Sequence, residues 1–234
     1  MRREIIFDTE TTGLDNGVDR IIEIGAVELV NLFPSGRNFH AYVNPAGRAV
    51  HPDALAIHGI TDAFLADKPG FADIAEDFVT FTQDARLVAH NAGFDIGFLN
   101  AEFERLSLAP IAPERVTDTL SLARRRHPTG PNSLDALCRR YGIDNAHRTK
   151  HGALLDAELL AEVYIEMVAG RQAALGLTQD SDLPGEGHGG KPLIPLGARP
   201  VSLPSRLSKR DIEAHQALVG QLGEKAIWNS FRKD

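Results

Sequence analysis

The chain has 234 residues, 43% of them apolar and 24% charged, a globular composition that excludes global disorder. It carries 25 Lys and Arg against 32 Asp and Glu, a net charge of −7, which excludes a protein that coats nucleic acid through a bulk positive field. One cysteine, Cys138, excludes a disulfide framework and a multi-cysteine zinc site, and suits a reducing compartment. No apolar run approaches the roughly 18 residues needed to span a bilayer. The N-terminal decapeptide places carboxylates where a signal peptide needs its apolar stretch, so the expectation is a cytoplasmic protein with no membrane contact.

Residues 3–43 read as strands. A short apolar run precedes Asp8, Ile21 to Val30 is rich in β-branched residues, and Phe39 to Val43 follows a turn signal at Pro34-Ser35-Gly36. Helical periodicity then takes over. Ile74, Phe78 and Phe81 share one face, and Phe94 and Phe98 share another, with Leu87-Val88-Ala89 as a short buried strand between them. Leu134, Leu137, Cys138 and Tyr141 fit a helix opened by Ser133 and closed by Gly142. Leu155, Leu159 and Val163 mark a last long helix that ends at Gly170. Strands followed by alternating helices and strands predict an α/β fold, a mixed sheet flanked by helices.

Composition changes after residue 170. Residues 170–204 hold seven Gly and five Pro, the range of flexible chain. Residues 205–234 regain some helical pattern behind Ser208 and contain the single Trp, Trp228, with Phe231. Thirty residues are too few to build a core alone. The predicted organisation is one main folded domain over 1–170, a linker over 171–204 and a short tail over 205–234. Charge is also uneven. Residues 124–151 carry seven Lys and Arg against Asp135 and Asp144, which fits either a solvated helix face or a track that steers an anion.

Three groups of residues carry the chemistry. Asp8 and Glu10 stand two apart at the end of an apolar strand, so both side chains share a face. Two crowded carboxylates repel unless a cation lies between them, and hard ions such as Mg²⁺ or Mn²⁺ take oxygen ligands. Asp95 follows His90-Asn91-Ala92-Gly93-Phe94 and opens a helix directly after the buried strand. Asp156 sits early in the last helix, with His151 five residues before it. Were both helical, five steps of about 100° would separate them by roughly 140°. The workable arrangement puts Asp156 on the helix and His151 on the loop before it. Each group alone also fits a bland role: a solvated strand end, a carboxylate complementing a helix dipole, a surface histidine.

Taken together, Phe-Asp8-Thr-Glu10-Thr-Thr-Gly13-Leu14, His90-Asn91-x-x-Phe94-Asp95 and His151-x-x-x-x-Asp156 resemble the three motifs of the DEDD exonuclease superfamily, in its His-containing subgroup. Ile57-His58-Gly59-Ile60-Thr61 and Asn91 to Phe98, with the linker and tail, are most similar to the family of epsilon (proofreading) subunits of bacterial DNA polymerase III. The resemblance implies a ribonuclease H-like fold and 3′→5′ removal of nucleoside monophosphates from a single-stranded DNA 3′ end. It implies two divalent ions, Mg²⁺ or Mn²⁺, held by Asp8, Glu10 and Asp156, with Asp8 bridging. Asp95 would act largely through a metal-bound water and His151 as general base. Asp53 and His58 match positions that contact the terminal nucleotide, although the family often has the longer Glu where this chain has Asp53.

The same resemblance implies partners. The tail with Trp228 and Phe231 would bind the polymerase alpha subunit. Gln172-Ala173-Ala174-Leu175-Gly176-Leu177 resembles a sliding-clamp-binding hexapeptide, with Gln172 as polar anchor and Leu175 and Leu177 as apolar plugs. A small theta-like subunit would be a further partner. Two other readings are weighed: an RNA-processing exonuclease of the same subgroup, which usually lacks such a linker and tail, and an inactive scaffold, which has no need of the complete acidic set with His151.

Overall fold

Five strands, seven α-helices and one short 3-10 helix (Pro113–Arg115) make up the first 169 residues of the computed structural model, which describes residues 2–146, 150–169 and 208–223. The N-terminal apolar run is β1 (Arg3–Thr11), and the β-branched run is β2 (Ile21–Val30). β3 (Phe33–Tyr42) returns beside β2. Next come α1 (Pro52–His58), α2 (Asp62–Leu65) and α3 (Phe71–Thr82). β4 (Arg86–Ala89) leads into α4 (Gly93–Arg105), and β5 (Val116–Asp118) into α5 (Thr119–Arg126). α6 (Leu134–Tyr141) and α7 (Ala153–Ala169) complete it. The sheet order is β3-β2-β1-β4-β5. β1, β2 and β3 pair antiparallel, while β4 pairs parallel with both β1 and β5. This is the mixed sheet expected from the sequence.

The consecutive apolar residues Ile5-Ile6-Phe7 of β1 are all buried because helices cover both faces of the sheet. Ile5 and Phe7 face a core shared with Phe71, Ile74 and Phe78 of α3 and with Phe98 and Leu99 of α4. Ile6 and Leu29 face the other way, against Leu137 of α6 and Leu160, Val163 and Tyr164 of α7. α6 is capped as its sequence predicts: the Ser133 side chain accepts from Ala136 N, and Gly142 closes the helix at φ 71°. Phe94 and Phe98 are core residues with ring centroids 4.8 Å apart, as their helical spacing predicts.

The first hairpin differs from expectation. β3 continues through Pro34-Ser35-Gly36 with a register shift, Leu29 pairing with Pro34 and Val27 with Asn38 and Gly36 at φ 82°, and the reversal falls at Asn31-Leu32, both at positive φ (52° and 69°) between the paired residues Val30 and Phe33. Two positive-φ residues define the turn that matches strand twist, and Asn favours it. Leu32 gives no sequence signal for that conformation. Pro34 is tolerated because β3 lies at the edge of the sheet, where a missing N–H costs no ladder bond. Among the described residues no helix is long and apolar enough to cross a membrane.

The chain divides into two units, Met1–Thr178 and Gln179–Asp234. In the second, α8 (Lys209–Leu222) begins with a capping box in which Ser208 and Asp211 satisfy each other's backbone N–H. Its Ile212, Leu218 and Leu222 are exposed. The expected linker and the proposed clamp and tail residues, Gln172, Leu175, Leu177, Trp228 and Phe231, lie outside the described residues.

Candidate active site

The carboxylates gather where β1 ends. Asp8 and Glu10 point to the α7 side of the sheet, both half-buried. Across the antiparallel ladder Asp8 faces Gly25 and Glu10 faces Glu23. Gly25 has no room for a side chain: a Cβ there would lie 2.1 Å from Leu154 N and 2.2 Å from Ala153 C. The first turn of α7 therefore rests directly on the backbone of β2, and this close approach carries Asp156 down to the sheet. Asp156 is 3% exposed and donates its backbone N–H to Gly152 O at 2.9 Å.

His151 stands on the loop before α7, as the angular argument requires. Its Nδ1 is 3.3 Å from Asp156 Oδ2, and its backbone N–H donates to Ile57 O at 3.3 Å, tying the loop to α1. Ligand atoms of Glu10, His151 and Asp156 all lie within 4.8 Å of one another. Asp8 lies outside that trio but on the same strand face as Glu10. Oxygen donors at this density, with one imidazole at the rim, fit a hard divalent cation.

Asp95 arrives from the other side of the sheet. The β1–β4 ladder stops at Ile6↔Val88, and Asp95, in the first turn of α4, supplies an acceptor beyond it. Its Oδ1 takes the Thr9 N–H at 3.1 Å and the Thr9 hydroxyl at 2.7 Å. Burial pushes the Asp95 carboxyl up to about 7, against the pull of the Thr9 donors and with a further push from the charge of Asp118. Asp118 in turn anchors the entry to α4. Its Oδ1 accepts from Asn91 N and Leu120 N at 3.0 Å and from Ala92 N at 3.3 Å, while Ser121 donates to Oδ2 at 2.6 Å. Burial alone would raise the Asp118 carboxyl, but these donors bring it below its ordinary value.

The two expected nucleotide-contact residues sit on α1 in opposite settings. Asp53, in the first turn, has a side chain 93% exposed, 3.5 Å from His51 Nδ1. His58, in the last turn, is buried. Its Nδ1 accepts from Ile60 N at 3.0 Å, so Nε2 carries the proton of the neutral ring. Burial lowers the His58 pKa, with the Thr11 carbonyl pulling the other way and Lys150 and His151 adding to the lowering. His58 Nε2 is buried and completes no hydrogen bond among the described residues.

Sequence reasoning passed over Thr9, Gly25 and Asp118. Thr9 hides inside the Asp8-Thr9-Glu10 signal itself. Gly25 interrupts a β-branched run, a cue for close backbone approach. Asp118 directly before Thr119 and Leu120 is a cap signal for a helix whose arginine-rich end shows no apolar period. Those arginines, Arg124 to Arg126, occupy the last turn of α5, where cations complement the helix dipole.

Comparison with known proteins agrees with this geometry. The exonuclease family matches residues 5–164. A DNA polymerase III subunit epsilon of Escherichia coli strain K12 is 43% identical, with 97% of this chain and 98% of the relative covered. A DNA polymerase III subunit epsilon of Pasteurella multocida is 53% identical over 72% of this chain and 69% of its own length. Among solved structures, exonuclease X in complex with 5′ overhanging duplex DNA superimposes with a TM-score of 0.54 at 31% identity, covering 74% of this chain and 93% of that one. Exonucleases of this type depend on divalent metal ions. Both the carboxylates brought together by Gly25 and the near full-length match lead to one conclusion: the chain belongs to the DNA polymerase III epsilon-subunit family and is a 3′→5′ proofreading exonuclease.

Proposed function

We propose that Asp8, Glu10 and Asp156 hold two divalent cations, Mg²⁺ or Mn²⁺, over the 3′-terminal phosphodiester of a single DNA strand. The observation that carries this reading is the convergence of Glu10, His151 and Asp156 within 4.8 Å. When bound, such ions neutralise the charge that builds on the phosphate and on the leaving oxygen. The chain's own residues do the rest. Asp156 orients the His151 ring through Nδ1, which assigns proton uptake from the attacking water to Nε2. Thr9 fixes Asp95, which acts on the same water. His58 offers Nε2–H to the terminal nucleotide, and Asp53 meets it from the exposed start of α1. Leu14 supplies an apolar surface for a base. It is 85% exposed, on a loop held by Asp19, which accepts from Thr12 Oγ1, Asp15 N and Arg48 Nε.

The test is digestion of 3′-labelled single-stranded DNA by the full chain. With Mg²⁺ or Mn²⁺ the expected product is a ladder of monophosphates released from the 3′ end, abolished by a chelator. RNA cut faster than DNA would move the chain to the RNA-processing class, and no cutting with either ion would make it a scaffold.

In the assembled replicase, residues 205–234, with Trp228 and Phe231 as anchors, bind the polymerase alpha subunit. Residues 172–177 bind the sliding clamp weakly, through Gln172, Leu175 and Leu177. A theta-like subunit adds to the catalytic domain, and the complex works in the cytoplasm. Exposed apolar positions on α8 support the first contact, and tethering beside alpha raises the effective concentration for the second. Deleting 205–234 is expected to leave DNA digestion intact and abolish co-elution with alpha in gel filtration. Unchanged co-elution would reject the assignment.

A further inference from the structure

Glu23 is a carboxylate that the chemistry above does not use. It lies on β2 directly opposite Glu10 of β1, with Tyr42 of β3 on its other side. Directly opposed residues of antiparallel strands share a face, with Cβ atoms about 4.5–5.5 Å apart. Glu23 therefore stands beside the cation-binding carboxylates on the α7 side of the sheet. It is 2% exposed. Its Oε1 is 2.8 Å from His40 Nε2, which faces Gly25 in the ladder. Its Oε2 is buried and completes no hydrogen bond among the described residues. Tyr42 also engages the Glu23 carboxylate: its phenol is kept protonated by burial, by the Glu23 charge and by a side-chain hydrogen bond to Glu23.

A carboxylate buried beside another carboxylate, with one oxygen left over, is costly for folding alone. A buried polar atom without a partner calls for a ligand or a water. With Oε1 taken by His40, Glu23 offers only Oε2 to the cation site. We propose that Glu23 is a positioning residue of the cation site, its Oε2 accepting from water that accompanies a divalent ion at Glu10 while His40 fixes Oε1. The proposal rests on the assignment of Glu10 as a cation ligand. Partners one step behind a metal ligand are commonly worth about 10- to 100-fold in metal affinity.

The test is calorimetric titration of the metal-free full chain with Mn²⁺, alongside its metal-free melting temperature. Glu23→Met removes the carboxylate at similar volume. It is expected to weaken Mn²⁺ binding about tenfold or more without lowering the metal-free melting temperature, since the surplus buried charge has gone. His40→Ala, on the exposed edge strand, is expected to weaken binding in the same direction by a smaller factor. Unchanged Mn²⁺ affinity in Glu23→Met would overturn the proposal, and so would a loss that appears only with a fallen metal-free melting temperature. Glu10→Gln is the control. If it binds Mn²⁺ as the wild type does, the cation site lies elsewhere and both readings fail. If it loses Mn²⁺ while Glu23→Met keeps it, only the role of Glu23 fails.

Discussion

Asp156→Ala is expected to remove nearly all exonuclease activity and to leave the fold standing. The carboxylate sits on the first turn of α7, is 3% exposed and faces Glu10 and His151. Its loss costs the site a cation, and charge stabilisation by a bound cation is worth several kcal/mol. At roughly 1.4 kcal/mol per factor of ten, the rate should fall by about 10³-fold or more. Asp8→Ala should behave alike, from the strand side of the site. Neither residue is a member of the two main cores, so neither change removes an apolar core side chain. Removing one of several crowded acids relieves repulsion in the metal-free protein, so its melting temperature should stay level or rise. Digestion of a 3′-labelled primer reads the first effect and a metal-free melt the second. Either variant cutting at more than a few per cent of the wild-type rate would refute the role.

Much of this site was legible because strand and helix periods are rigid rulers. Asp8 and Glu10, two apart on a strand, had to share a face, and the structure puts them there. His151 and Asp156, five apart, were incompatible as partners on one helix, which forced the histidine onto the loop. What stayed hidden depends on contacts between elements distant in sequence. Gly25 and Leu154 are far apart in the chain, yet the missing Cβ of one sets the height of the other above the sheet. Asp118 reaches Asn91 and Ala92 across the ends of β4 and β5, a relation that no local window contains.

The fold shows the same division. Ser133 and Gly142 announce the ends of α6 because capping is a local hydrogen-bond requirement. The reversal at Asn31-Leu32 was not announced, because Pro34-Ser35-Gly36 offered stronger turn chemistry. Pairing of Val30 with Phe33 decided between them. α1 also went unread. It is seven residues long, too short for a periodic signal, yet it carries both Asp53 and His58 and holds the His151 loop through Ile57.

That hold makes His151 the next test. The loop is pinned at Ile57 O and the ring is oriented by Asp156, so the imidazole needs little reorganisation to meet a water at the cation site. General bases of this kind contribute about 10²–10⁴-fold. His151→Ala should therefore lose activity within that range while still binding Mn²⁺, because Asp8, Glu10 and Asp156 remain as oxygen donors. This separates it from Asp156→Ala, which should lose both. The sign of the pH effect follows from the chemistry. Only the neutral ring accepts a proton, so the wild-type rate should fall as pH is lowered. The variant's residual rate should lack that limb. Steady-state rates on a 3′-labelled oligonucleotide from pH 5.5 to 8, with Mn²⁺ affinity measured on the same samples, read both effects. If wild type and His151→Ala give parallel profiles across that range, the proton goes to another group and His151 is left as a partner that orients Asp156.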